Sequence, residues 1–440
     1  MLSYIAIQAS KMKDVHLASC QIETPHEVVD LAWGLAREAR ERSKFKNVID
    51  FGAGDCRFAL RPEYFESYLG IERDCSRFQT AQLPPNARVV LGDALEKNYV
   101  DFDLCIGNPP YVRHHHLDKD WRSAVLHDFA QSGVKLKATA NAFVLFLTKA
   151  ILSTKDDGLV VQVIPYEWVT RPSALELRNF IKNEGWSVTV LRFAADIFPK
   201  VLTTASITII DKANKAGLWR FGIIHADGAV EYVSSPSGST SEVLKYTPRS
   251  ASTFALRGLS PGGQEIFVLT EEERLFHGLS RRTDVVPAIT SLRNFPSGKS
   301  TLDEKAFIQY YVEKGRRCWL IQSHAEKLSA QLSQYLLTVQ DSWQKYSTCT
   351  ARAVWYRYKP HSVPELLIAS GFIGNTPKVV INKVKAVAVG SVYAVFSGRH
   401  DPSVLHKQLM SYDFRSKVVS HANNLNKIEV NQLNSVLEHI

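Results

Sequence analysis

Between about Val48 and Ile210, short β-branched runs alternate with stretches whose apolar residues recur at helical spacing. "NVIDFG", "SYLGIE", "ARVVLGD", "FDLCIGN", "GLVVQVIP", "SVTVLRF" and "ASITIID" predict strands, while "TANAFVLFLTKAIL" and "SALELRNFIKNEG" predict helices. Apolar runs of this length, bounded by Gly, Asp or Pro, suit strands buried on both faces. Their alternation with helices predicts a doubly wound, mostly parallel, Rossmann-like α/β sheet, with ligands beyond the carboxyl ends of the strands. Ahead of it, "TPHEVVDLAWGLAREARER" reads as a helix with Thr24 as N-cap and Pro25 at the first helical position.

After Ile210 the pattern changes. "ADGAVEYVSSPSGSTSEVLKY" reads as a hairpin followed by a connector, and beyond about Lys245 the regular alternation is lost. Two strands, "PKVVINK" and "AVAVGSVYAVF", and aromatic-basic patches such as "ARAVWYRYKPH" predict a second domain of mixed α+β character. The expected division is 1–244 and 245–440, in keeping with a length of 440 residues, too long for one ordinary core. Composition adds the class and a partner. With 45% hydrophobic and 22% charged residues the chain is expected to be soluble, with no stretch long enough for a membrane span. A net charge of +9 favours a polyanionic partner. Six scattered cysteines without a CxxC pair argue against a zinc site or disulfide framework and for a reducing cytoplasm.

Candidate chemistry gathers at the strand ends. Asp50 closes the first strand and is followed by Gly52 and Gly54, which let a ligand approach the backbone closely, though a tight turn alone would also explain them. Glu72 lies just beyond the second strand, where a carboxylate can accept from ribose hydroxyls. Asp93 ends the third and could accept from an exocyclic amine such as adenine's. The third glycine of a dinucleotide fingerprint is replaced by Arg57 and Phe58, and no GK[ST] follows. A nucleoside without pyrophosphate is therefore favoured, with S-adenosylmethionine (SAM) the candidate.

The fourth strand delivers Asn108-Pro109-Pro110-Tyr111 to the same edge. An exocyclic nucleobase amine is a poor nucleophile because its lone pair is delocalised into the ring. The Asn108 side-chain oxygen and a backbone carbonyl, that of Pro109, could each accept one of its N–H bonds and free the lone pair for in-line attack on a sulfonium methyl. The prolines fix the carbonyl and add no competing donor, and Tyr111 would stack on the base. His114, His115 and His116 are adjacent and diverge, so they are read as a polar loop and not as metal ligands.

In this order the motifs resemble the NPPY-type, TaqI-like (gamma-class) SAM-dependent adenine-N6 DNA methyltransferases. The resemblance runs from about residue 20 to 210, through "TPHEVV", "DFGAG", "GIE", "GDAL", "GNPPY", "NAFVLFLTKA", "GLVVQVIPYEW" and "DIFPKVLTTASITII". It implies a methyltransferase catalytic domain and a C-terminal target-recognition domain. The latter is looser, resting on "FALRGLSPGGQEIFVLTEEE" and "ANNLNKIEVNQLNSV". By the same resemblance Thr24 contacts the methionine moiety of SAM. Asp50, Gly52 and Gly54 form the cofactor loop, with Glu72 at the ribose and Asp93 at the adenine end. Asn108 and Pro110 also border the cofactor. Phe146 packs on the adenine, although core packing explains it equally well. Phe198 stacks on the flipped base opposite Tyr111, with a buried anchor as the alternative. Phe51 and Cys56 depart from the proline and glycine frequent in the first motif. Double-stranded DNA is the implied substrate, base flipping the means of access, and a separate endonuclease of a restriction-modification system a possible partner. RNA or a protein glutamine as substrate, and a catalytically silent DNA-binding derivative, are the alternatives.

Overall fold

The structure is a computed structural model that describes residues 23–79, 81–194, 204–237, 244–249, 252–418 and 425–440. All seven expected strands form, as β1 (Phe45–Phe51), β2 (Phe65–Glu72), β3 (Ala87–Leu91), β4 (Phe102–Gly107), β5 (Thr154–Pro165), β6 (Ser187–Phe193) and β7 (Ala205–Asp211). A hairpin of β8 (Trp219–Ile224) and β9 (Val230–Val233) extends them into one sheet of order 3-2-1-4-5-7-6-8-9. Neighbours from β3 to β5 are parallel, and β7 runs antiparallel to both β5 and β6. The chain moves outward from β1 to β3 and then returns to pair β4 on the other side of β1. That reversal opens a crevice at the carboxyl ends of β1 and β4. Gly52 and Asn108 immediately follow these two ends.

Helix α1 (His26–Arg40) buries Val28, Val29, Ala32, Trp33 and Ala36, a stripe at three- and four-residue spacing. Trp33 is fully buried, and its indole donates to the Phe58 carbonyl at 3.1 Å, tying the helix to the turn after the glycine loop. Burial of one such side chain contributes roughly 1.5–3 kcal/mol. Thr24 is not the N-cap of this helix. Pro25 holds that position, its carbonyl accepting from Val28 and Val29, because the Thr24 hydroxyl is engaged elsewhere. Helices α2 (Lys119–Gln131), α3 (Ala142–Ser153) and α4 (Leu175–Asn183) follow. The predicted stretches account for α3 and α4, whereas α2 was not expected; it buries only Val125 and Phe129 and so carries almost no apolar stripe.

The chain divides into two compact units that part between residues 241 and 242. The second has a five-stranded mixed sheet of Phe254–Leu256, Val392–Phe396, Leu366–Ala369, Val379–Asn382 and Thr301–Leu302, in that order. Beside it lies a four-stranded sheet of Val268–Leu269, Trp319–Ile321, Val285–Ile289 and Val387–Ala388. "AVAVGSVYAVF" is thus two strands in two sheets. Gly390 separates them at a φ of +65°, where a Cβ would meet the Gln264 side chain. The helix Val430–Leu437 packs on the strand Phe254–Leu256, with Asn434 Oδ1 accepting from the Ala255 N–H at 2.7 Å.

Candidate active site

The loop after β1 turns through Gly52 (φ +87°) and Gly54 (φ +56°), a conformation that favours glycine. It is sewn to the tip of β2, with the N–H groups of Gly52 and Ala53 donating to the Ile71 carbonyl at 2.8 and 3.1 Å. Glu72 continues the seam. Its Oε2 accepts from the Gly54 N–H at 2.8 Å, and its Oε1 from the N–H groups of Arg73 and Asp74 at 2.8 and 2.9 Å. Each carboxylate oxygen has two acceptor positions, so Oε1 is filled and Oε2 retains one for a hydroxyl donor. A Cβ on Gly52 would lie 3.5 Å from Pro110 Cδ and 4.0 Å from Phe146 Cε1. The glycine loop, the second proline of the corner and Phe146 therefore adjoin one another. Phe146 is half-buried while its neighbours from Ala142 to Leu145 and from Leu147 to Ile151 are buried.

Asp50 lies beneath this loop, 1% exposed, with Oδ2 accepting from the Tyr68 hydroxyl at 2.7 Å. Burial pushes its carboxyl up to about 7, a rise that the Tyr68 hydrogen bond opposes and the nearby Glu72 charge adds to. Its Oδ1 has no hydrogen-bond partner among the described residues and rests against Gly107, where a Cβ would come within 2.1 Å of it. The glycine at the end of β4 is thus demanded by the carboxylate at the end of β1.

Asn108 is tied to the N-terminal segment through its amide nitrogen. Its Nδ2 donates to Thr24 Oγ1 at 3.0 Å, and its Oδ1 is buried without a hydrogen-bond partner among the described residues. An unpaired buried carbonyl costs about 1–3 kcal/mol, which an incoming N–H donor would relieve. Thr24, 7% exposed, is itself fixed by Arg57, whose Nη1 donates to the Thr24 carbonyl at 2.7 Å while its other nitrogens reach Asp55 and Glu23. Arg57 occupies the place of a third fingerprint glycine, and its role as a clasp on the N-terminal segment was not read from the sequence. Pro109 is buried and Pro110 half-buried. The Tyr111 hydroxyl donates to the Val163 carbonyl of β5 at 2.9 Å, and its ring meets Phe143 edge-on. Burial of that hydroxyl end raises the phenol far above its ordinary value, so it remains a protonated donor while the ring keeps partial exposure.

Asp93, at the tip of β3, accepts from the Leu95 N–H and from the Trp121 indole, each at 2.9 Å. The structure thus brings Thr24, Gly52, Pro110, Phe146 and Asn108 together, with Gly54, Glu72 and Asp93 at successive strand ends. Phe198 lies outside the described residues. The histidines form a single 3₁₀ turn (His114–His116) in place of the expected polar loop, anchored by the His114 N–H to Asn141 Oδ1 at 3.0 Å. Among the described residues no group of His, Cys, Asp or Glu could hold a metal ion. In the second unit, part of the aromatic-basic patch faces inward: Arg352 donates to the carbonyls of Ser260 and Pro261, and Tyr358 to that of Ile321 at 2.7 Å.

A mostly parallel sheet whose order reverses at β1 and β4, with this loop and corner at the reversal, has the architecture of a methyltransferase-like α/β fold. The family profile described as Eco57I restriction-modification methylase matches residues 37–198, and that of the type II methyltransferase M.Eco57I C-terminal domain matches residues 250–415. The chain belongs to the Eco57I-type restriction-modification methylases. It is 30% identical over 175 residues to the type II methyltransferase M.XamI of Xanthomonas campestris pv. amaranthicola, covering 36% of this chain and 33% of that one. It is 28% identical over 209 residues to the type II methyltransferase M.TthHB8I of Thermus thermophilus, covering 45% and 46%. The chain thus spans a third to about half the length of these curated relatives. Among solved structures, the methyltransferase subunit of a type I restriction-modification system from Streptococcus thermophilus is 23% identical over 47% of each chain, with a TM-score of 0.40.

Proposed function

We propose that the chain methylates DNA, transferring a methyl group from SAM to N6 of an adenine rotated out of the double helix. The observation that carries this reading is the Asn108 amide, tied through its nitrogen to Thr24 and presenting an unpaired oxygen beside a proline-fixed corner. SAM fits the residues present. Gly52 leaves a cradle that a Cβ would narrow against Pro110 and Phe146, while Glu72 and Asp93 keep acceptor positions that suit a ribose hydroxyl and a purine amine. Asp50, buried at the end of β1, accepts from the Tyr68 hydroxyl. When bound, SAM supplies an electrophilic methyl on a sulfonium sulfur.

The chain's own residues act on the amine. Asn108 Oδ1 and the Pro109 carbonyl each accept one N–H bond, which bends the nitrogen toward tetrahedral geometry and localises its lone pair. Tyr111, its hydroxyl pinned to β5, offers its ring as a platform for the base, and Phe198 is assigned the opposite face. The methylated ammonium is acidic enough to lose its proton to water, so no strong general base is required. The second unit is assigned to target recognition and a separate endonuclease to the partner role, in keeping with the family.

The test is to map methylated bases in DNA from cells expressing the chain. One recurrent sequence carrying N6-methyladenine is expected; unmodified DNA alongside labelled RNA or protein would sink the proposal. In vitro, Asn108→Ala should lower the rate by at least about a hundredfold while SAM affinity measured by calorimetry changes little.

A further inference from the structure

At the tip of β3 the Asp93 carboxylate is gripped from two sides. Oδ1 accepts from the Leu95 N–H at 2.9 Å and Oδ2 from Trp121 Nε1 at 2.9 Å. The two bonds fix the plane of the carboxylate, and each oxygen keeps a second acceptor position. Trp121 is fixed in turn. Asp118, the N-cap of α2, accepts from the Trp121 backbone N–H at 2.8 Å. Arg122 donates to the His114 carbonyl at 2.7 Å, His114 donates to Asn141, and the Ala142 N–H donates to the Val112 carbonyl at 2.9 Å. Because α2 buries only two apolar side chains, these polar ties set the place of the indole. They also bind it to the segment that leaves Tyr111.

We propose that Trp121 is a positioning residue that gives the cofactor pocket its preference for adenine over hypoxanthine. The inference rests on the reading that SAM is held with its adenine at Asp93. An indole N–H can only donate, so Trp121 cannot receive the purine amine and acts through the carboxylate. Held in place, Asp93 offers acceptors to an exocyclic amine and sets an oxygen against the oxo group of hypoxanthine. Released from the indole, the carboxylate turns away. The amine then loses a placed acceptor, the oxo group loses its repulsion, and the two ligands bind more alike.

The experiment measures binding of S-adenosylhomocysteine and its deaminated analogue S-inosylhomocysteine to the full chain by calorimetry. Wild type should prefer the adenine ligand, and Trp121→Phe should reduce that ratio about tenfold, the scale of a hydrogen bond to a charged group. Trp121→His, whose ring Nε2 can donate, should recover part of the ratio. Equal weakening of both ligands in Trp121→Phe, or an unchanged ratio, overturns the inference, because a merely structural tryptophan would leave the discrimination intact. Should that variant melt, Arg122→Ala, which frees α2 from His114, should lower the same ratio; no change there overturns the inference too. Failure of wild type to bind either ligand would instead overturn the cofactor reading itself.

Discussion

The Asn108 amide can serve the proposed reaction in only one of its two orientations, the one in which its nitrogen meets the Thr24 hydroxyl. With Nδ2 donating to Thr24 Oγ1, the oxygen is left to accept; turned over, the amide would present a donor to an amine that is itself a donor. Thr24→Val should therefore lower kcat about tenfold while the dissociation constant for SAM changes less than twofold, and Thr24→Ser should restore the rate. Steady-state kinetics beside direct SAM binding decides this. An equal loss in both would place the hydroxyl on the cofactor instead. The sequence singles out Thr24 but suggests a helix cap for its hydroxyl, because Thr-Pro ahead of an amphipathic stretch has the spelling of one. What overrode the local signal was Asn108, 84 positions away.

The elements β1, β2 and β4 meet at Asp50, and their packing makes stability depend on pH. In the unfolded chain this carboxyl titrates near 3.8; in the fold, burial between the strands raises it to about 7. The folded state therefore holds the proton more tightly, and this contribution to stability, full below pH 4, is lost as pH rises toward 7. Linkage puts the loss on the order of 4 kcal/mol. Asp50→Asn, which still accepts from Tyr68, should gain stability over wild type progressively between pH 4 and 7 and hold the gain above it. Parallel melting curves across that range would check this, and a constant difference would refute it. At this scale most strands are legible because runs buried on both faces leave a clear pattern, whereas β3, with Val90 and Leu91 exposed, follows from its β-branched run alone. Helix α2 left none, having two buried residues in thirteen, and Trp121 went unread with it. The division of "AVAVGSVYAVF" was equally hidden, since a single left-handed glycine sends its halves to different sheets.

Across the whole molecule, a net charge of +9 joined to a family of DNA-modifying enzymes predicts binding that is largely electrostatic. Affinity for an unrelated duplex should fall at least about tenfold between roughly 50 and 200 mM salt, as counterions released from phosphate predict. Titration of a labelled duplex at several salt concentrations measures the slope, and a flat response would remove duplex DNA as partner. The bond between Asn434 and Ala255 joins positions 179 residues apart. On the ribosome this has a cost in time: the strand Phe254–Leu256 emerges long before the helix that covers it has been synthesised, so a nascent chain halted ahead of Val430 displays an unfinished edge for as long as translation pauses.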